Sequence, residues 1–467
     1  MSSAEVVRSG PLRYATAERF ARPRPVTAGD VRPVSGRICP QPPSRLDAVM
    51  GAPHDGDRWP QGEDCLHLSV TAPAGGGGPR PVMVWFHGGG FSSGAGLLAW
   101  YDGGALAAGG DVVVVCVNHR LGALGYLVLD GVSEGNLGLF DQMEALRWVR
   151  DHISEYGGDP GNVTVFGQSA GALSIRVLLE VPEARGLFHR AVLQSAPLDF
   201  ACRPVAEARE TGRLFAGHLG ADPLTAPAEA VVAAQRRTAT AHCEHTGSGL
   251  GPAFTPVSGA DPLREPGACF DAGARDLDVL YGWNRDEMSA FPPDAGDDGD
   301  VADRTRRAFE VPYADLRTRL RRAGARVHGY RLDWRPPAPG SAPRTASSCR
   351  CCSGPRTPGR ERRCSATPTG RRSTRSAEPC ARCGPVSPGP ASRVPCPRRW
   401  CRSRSAGALC STGAHRPPFR GRASDRGRAG GGQSGRLPSP PRFATMRRST
   451  LIVVTKSAVS TPSCVRS

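Results

Sequence analysis

Along residues 1–335, short apolar runs alternate with longer stretches of helical period. Residues 326–334 (Arg-Val-His-Gly-Tyr-Arg-Leu-Asp-Trp) read as a strand of mixed character, while residues 81–86 (Pro-Val-Met-Val-Trp-Phe), 112–117, 162–166 (Asn-Val-Thr-Val-Phe) and 277–281 are richer in apolar, β-branched and aromatic side chains. Runs of this kind suit strands covered on both faces, which have no solvent face to alternate with. Between them, residues 141–153 place Leu146, Val149 and Ile153 at helical spacing, and 172–179 is an apolar helix. Residues 231–240 and 309–320 read as lid or cap helices, or as helices packed by their apolar faces. The glycines of 75–78 and the aspartates of 294–303 read as surface turns. The alternation of strand and helix predicts one large α/β domain with a mostly parallel sheet flanked by helices. Internal repeats are not apparent.

Two strand ends carry chemistry. The strand at 162–166 runs into Gly167-Gln168-Ser169-Ala170-Gly171 and then into the apolar helix. A serine between two glycines at that point describes a nucleophile on a strained strand-to-helix turn, its hydroxyl lifted above the sheet and facing the helix N-terminus. A tight turn with a passive serine would share the same five residues. The strand at 81–86 runs into His87-Gly88-Gly89-Gly90-Phe91. Consecutive glycines expose main-chain N–H groups that no side chain shields, which suits an anion forming on a carbonyl oxygen. A third strand end, Gly282-Trp283-Asn284-Arg285-Asp286-Glu287, supplies carboxylates that could orient an imidazole, or a solvated Asp-Glu pair.

With these segments in place, the chain resembles the type-B carboxylesterase family of α/β-hydrolases, most densely from Cys39 to Gln194. Glu63-Asp64-Cys65-Leu66, Asn118-His119-Arg120-Leu121-Gly122, Gly135 to Gln142, Tyr156-Gly157-Gly158-Asp159-Pro160, Leu187 to Ala191 and Gln194-Ser195 are similar to its signatures. His67, Tyr156 and Met288 stand where the family usually has tyrosine or threonine, phenylalanine and glycine. The resemblance implies an α/β-hydrolase fold and acyl transfer from small carboxylic esters. Ser169 would be the nucleophile, Glu287 the acid, and the N–H groups of Gly89, Gly90 and Ala170 the oxyanion donors. No cofactor or metal is required. Cys39 and Cys65 resemble the disulfide positions of secreted relatives and would be free thiols in a reducing compartment.

The family's histidine is expected in the loop after the strand at 326–334. His328 lies inside that strand, where it reads as a packed or edge residue, and the expected loop is absent. Composition changes there. Residues 341–467 carry 26 basic side chains against Glu361, Glu378 and Asp425, a net +23, whereas residues 1–340 carry −6; the chain's +17 belongs to its last quarter. Ten of the 16 cysteines also lie after residue 340.

A basic arm for polyanions is one reading of this segment. Zinc binding fits poorly, because the cysteine spacings form no two ligand pairs at finger distance. A third reading is translation out of frame. Residues 344–354 (Arg-Thr-Ala-Ser-Ser-Cys-Arg-Cys-Cys-Ser-Gly) have synonymous codons that, shifted by a nucleotide, encode His-Cys-Ile-Glu-Leu-Pro-Leu-Leu-Phe-Gly, which is similar to the missing loop. Abundant arginine beside scarce lysine fits a GC-rich gene read that way. The expected organisation is therefore an α/β-hydrolase domain over 1–340, shortened at its N-terminus, a disordered, out-of-frame segment over 341–447, and a family-like remnant over 448–467. His415, the one histidine after residue 340, has no evident route to Ser169.

Met1 to Gly10 lack an apolar signal core, and no apolar run is long enough for a membrane span, so a cytoplasmic enzyme without specific nucleic-acid binding is expected. Two function classes remain: a serine carboxylesterase impaired by loss of its histidine, or a catalytically silent α/β-hydrolase-fold binding protein with a basic tail.

Overall fold

The computed structural model describes residues 5–333, apart from 28–31, 45–58, 76–77, 201, 247–250, 292 and 295. The segments 341–447 and 448–467, with His415, lie outside the described residues. Eight strands form the central sheet: β1 (Val6–Arg13), β2 (His67–Pro73), β3 (Arg80–Phe86), β4 (Val113–Val117), β5 (Gly158–Gln168), β6 (Arg190–Gln194), β7 (Asp278–Asn284) and β8 (Arg326–Leu332). Their spatial order is β1-β2-β4-β3-β5-β6-β7-β8. β2 pairs antiparallel with β1 and β4, and every pairing from β4 to β8 is parallel. This is the α/β-hydrolase architecture that the sequence predicts.

The five longest described helices are α1 (Leu137–His152), α2 (Ala170–Leu178), α3 (Val205–Leu219), α4 (Ala228–Thr246) and α5 (Val311–Arg322). Leu146, Val149 and Ile153 are fully buried, as their spacing requires. Central strands β3, β4 and β5 supply Val82, Val84, Phe86, Val113, Val115, Val117, Val163 and Val165 to one continuous core. Buried Arg120 and Asp141 tie a loop to α1 through paired hydrogen bonds of 2.9 and 2.7 Å.

Three expectations change. Val6–Arg13, which the sequence reading leaves without an element, forms the antiparallel edge strand, with Leu12 buried. The 294–303 segment is no simple surface turn: Asp294 and Asp297 line the central cavity, and Val301–Thr305 is helical, because Asp300 caps it by accepting from the Asp303 N–H at 2.8 Å. The apolar periodicity at 309–320 belongs to a π turn, Arg306–Glu310, that continues into α5. Among the described residues no helix is long and apolar enough to cross a membrane.

Candidate active site

Parallel pairing sets the ends of four strands side by side. Phe86 lies opposite Gly167, Gln168 opposite Gln194, and Gln194 opposite Gly282. The loops that follow β3, β5, β6 and β7 therefore leave the same rim of the sheet, where open α/β sheets hold their ligands. One cavity of about 550 Å³ opens there, and Gly89, Gly90, Ser169, Ala170, Ser195 and Glu287 all line it.

Ser169 has φ 53° and ψ −121°, a backbone conformation that favours glycine. It is held there from both sides: its N–H donates to Gln194 O and its carbonyl accepts from Leu173 N, each at 2.9 Å. Gly171 is required by close approach, since a Cβ there would lie 2.0 Å from Phe86 O. The turn thus presents the Ser169 side chain at the head of α2, whose first N–H groups have no intrahelical partner.

The glycine loop after β3 turns sharply, with φ of 122° at Gly89 and 61° at Gly90. Gly89 O accepts from the N–H groups of Ser92 and Ser93 at 3.2 and 3.1 Å. Among the described residues no protein acceptor takes the N–H of Gly89 or Gly90, and both residues face the cavity. A Cβ built on Gly88 would stand 3.3 Å from Ser169 Cβ, so loop and serine are in contact distance. A tetrahedral oxygen on a carbonyl bound at Ser169 would meet these amides.

Glu287 begins a 3₁₀ turn just past β7 and is fully buried. One carboxylate oxygen, Oε2, accepts from Ser195 Oγ at 3.0 Å, from Asn284 N at 2.7 Å and from Asn284 Nδ2 at 2.8 Å. Buried charge is tolerable only with partners of this kind. Asp286, its neighbour, pairs instead with Arg285. Sequence reading names Ser195 only as part of a signature and does not foresee Asn284 as a partner; a carboxylate three residues after a strand-end asparagine is the available signal.

Asp199 shapes the field of the cavity. It is reached by solvent yet ringed by protein, and that loss of water raises its pKa, while its own N–H and that of Phe200 pull the other way. Four carboxylates, of Asp199, Glu287, Asp294 and Asp297, line the cavity against two guanidiniums, of Arg304 and Arg307, both of which pair with Asp297. The wall between them is apolar, with Phe91, Leu173, Phe200, Met288 and Phe309.

Among the described residues no histidine lines this cavity. His328 is exposed on edge strand β8, as its place in the sequence suggests. No described cluster of histidine, cysteine and carboxylate side chains has the makings of a metal site.

A doubly wound sheet with a strained serine beneath a glycine loop defines an α/β-hydrolase with serine-hydrolase geometry. The chain belongs to the carboxylesterase family, whose profile, described as "Carboxylesterase family", matches residues 11–322. It is 42% identical over 342 residues to a probable N-octanoylanthranilate hydrolase of Rhodococcus erythropolis, covering 68% of this chain and 75% of that one. It is 40% identical over 292 residues to the phenmedipham hydrolase of Pseudarthrobacter oxydans, covering 61% of this chain and 56% of that one, little more than half its length. Among solved structures, a PNB esterase superposes with a TM-score of 0.63 at 31% identity, covering 74% of this chain and 81% of that one. Family and relatives assign the chain to ester hydrolysis by a serine hydrolase.

Proposed function

We propose that the chain binds small carboxylic esters over Ser169 and is built for acyl transfer to that hydroxyl. The observation that carries this reading is the convergence of Ser169, the glycine-loop amides and Glu287 on one cavity. In the reaction Ser169 Oγ attacks the ester carbonyl, and the N–H groups of Gly89, Gly90 and Ala170 receive the tetrahedral oxygen. Alcohol leaves, and water then releases the acid from the acyl-enzyme. Glu287 serves as the acid that orients the base and stabilises it once protonated.

The base itself is the weak member of this chain. Our reading is that the histidine loop after residue 334 has been lost to a change of frame, within a domain that ends near residue 340. A serine without a base keeps its proton, and removing the histidine of such a triad lowers turnover by about six orders of magnitude. The absence of a histidine from the described cavity wall favours a second reading, a silent binding protein with a basic tail. A cytoplasmic setting is supported by Cys39 and Cys65, both buried free thiols.

A fluorophosphonate probe followed by peptide mapping tests the proposal. Labelling at Ser169, slowed along with ester turnover but absent in Ser169→Ala, is expected. A folded protein that neither labels nor turns over esters would leave the binding-protein reading. Sequencing the gene across residues 335–354 tests the frame: an intact frame, without a nearby insertion or deletion in sister genes, would overturn that part of the proposal.

A further inference from the structure

Beside the glycine loop, and not among the residues that line the cavity, two imidazoles lie face to face. The rings of His87 and His119 have centroids 4.6 Å apart and planes within 11° of parallel, and both side chains are buried. His87 Nδ1 stands 2.9 Å from Gly88 O, and His119 Nδ1 stands 3.2 Å from Arg120 O. A carbonyl oxygen only accepts, so each ring carries its proton on Nδ1 and leaves a lone pair on Nε2. Among the described residues neither Nε2 has a hydrogen-bond partner.

The bond from His87 governs more than its own acceptor. Gly88 C=O and Gly89 N–H belong to one planar trans peptide and point in opposite directions. A ring that holds Gly88 O therefore fixes where the Gly89 N–H points. The loop makes room for this bond through Gly94, where a Cβ would lie 2.6 Å from His87 Nδ1 and 2.5 Å from Gly88 O. The His119 ring covers one face of the His87 ring and removes the freedom to tilt away from Gly88 O.

We propose that His119 is a positioning residue for the main-chain donors of the cavity: stacked on His87, it fixes the peptide that carries the Gly89 N–H. The inference rests on Gly89 being an oxyanion donor. It also carries a sensitivity to acid. Among the described residues no carboxylate acts on either ring, so a proton on one Nε2 places an uncompensated charge in the stack and loosens the loop above it.

Hydrogen exchange of the full-length chain, read by mass spectrometry, tests this without requiring turnover. In His119→Ala the peptide containing Gly88 to Gly90 is expected to exchange at least about ten-fold faster at neutral pH, while the peptide containing Gly167 to Gly171 keeps its rate. His119→Phe, which restores a flat ring without a titrating nitrogen, is expected to return the loop to wild-type exchange and to move the onset of acid loosening to lower pH. A loop that exchanges in His119→Ala as in wild type would overturn the inference. If His119→Ala loosens both peptides, the Phe variant decides: an unchanged acid onset sinks the proposal and a lowered one supports it. The fluorophosphonate experiment is separate. Labelling of Ser169 with a loop indifferent to residue 119 defeats only this inference, whereas a responsive loop without labelling defeats only the catalytic reading.

Discussion

Ser195 donates its hydroxyl to the buried Glu287 carboxylate at 3.0 Å, joining the end of β6 to the turn after β7. Ser195 reaches this position with φ 50°, and its N–H donates to Gly282 O at 2.8 Å. The carboxylate is therefore oriented by two neighbouring strands before any base approaches it. Ser195→Ala removes one donor from a buried charge, at a cost of about 1.5–3 kcal/mol. A lower denaturation midpoint is expected, and an unchanged one would mean that the remaining partners, Asn284 among them, satisfy Glu287 without Ser195.

The backbone of Ser169 predicts a trade between stability and chemistry. A non-glycine residue held in such a conformation stores about 1–3 kcal/mol, part of which Ser169→Gly releases. The variant is expected to melt higher than wild type while losing all fluorophosphonate labelling. A lower melting temperature would show that the serine side chain contributes to packing rather than to strain.

Close packing at the elbow gives an opposite expectation for its second glycine. In Gly171→Ala the new Cβ meets Phe86 O at 2.0 Å and His87 O at 2.7 Å, main-chain atoms that no rotamer change can move, so β3 and α2 must separate. Insoluble or unfolded protein is expected on expression. A soluble variant with wild-type circular dichroism would disprove the contact.

Burial of His87 and His119 fixes how stability responds to acid. Desolvation lowers His87 to about 3, helped by the neighbouring His119, and lowers His119 to about 4. Unfolded, both return to about 6.5, so below that value the unfolded chain binds protons that the folded chain refuses. Stability is then full above about pH 6.5 and falls as pH drops toward 4, by up to about 1.4 kcal/mol per pH unit for each ring. Urea denaturation at several pH values measures the slope, and His119→Phe should flatten it.

Charge in the cavity sets a preference among esters. Asp199 stands in the wall with no cation among the described residues acting on it, so a carboxylate-bearing ester is expected to bind and label more weakly than its neutral isostere. Asp199→Asn should narrow that gap. Equal competition by the two esters against the fluorophosphonate in wild type would contradict it.

Much of this architecture was already legible in the chain, because a strand buried on both faces must be continuously apolar and a nucleophile turn must be flanked by glycine. Residues 81–86, 112–117 and 162–166 betray the sheet for the first reason, and Gly167 to Gly171 betray the elbow for the second. The acid could be placed only by resemblance, since Asp286 and Glu287 are chemically alike in sequence. Tertiary structure gives them different surroundings: Glu287 turns inward to three donors, and Asp286 pairs with Arg285.

The stack of His87 on His119 and the descent of Asp294 and Asp297 into the cavity have no local signature. Both depend on neighbours that the fold brings from distant positions. Strand and helix positions follow from patterns that short stretches of the chain carry by themselves. Which polar groups share a buried volume follows from strand register and loop path, and those are fixed only when the sheet closes around its core.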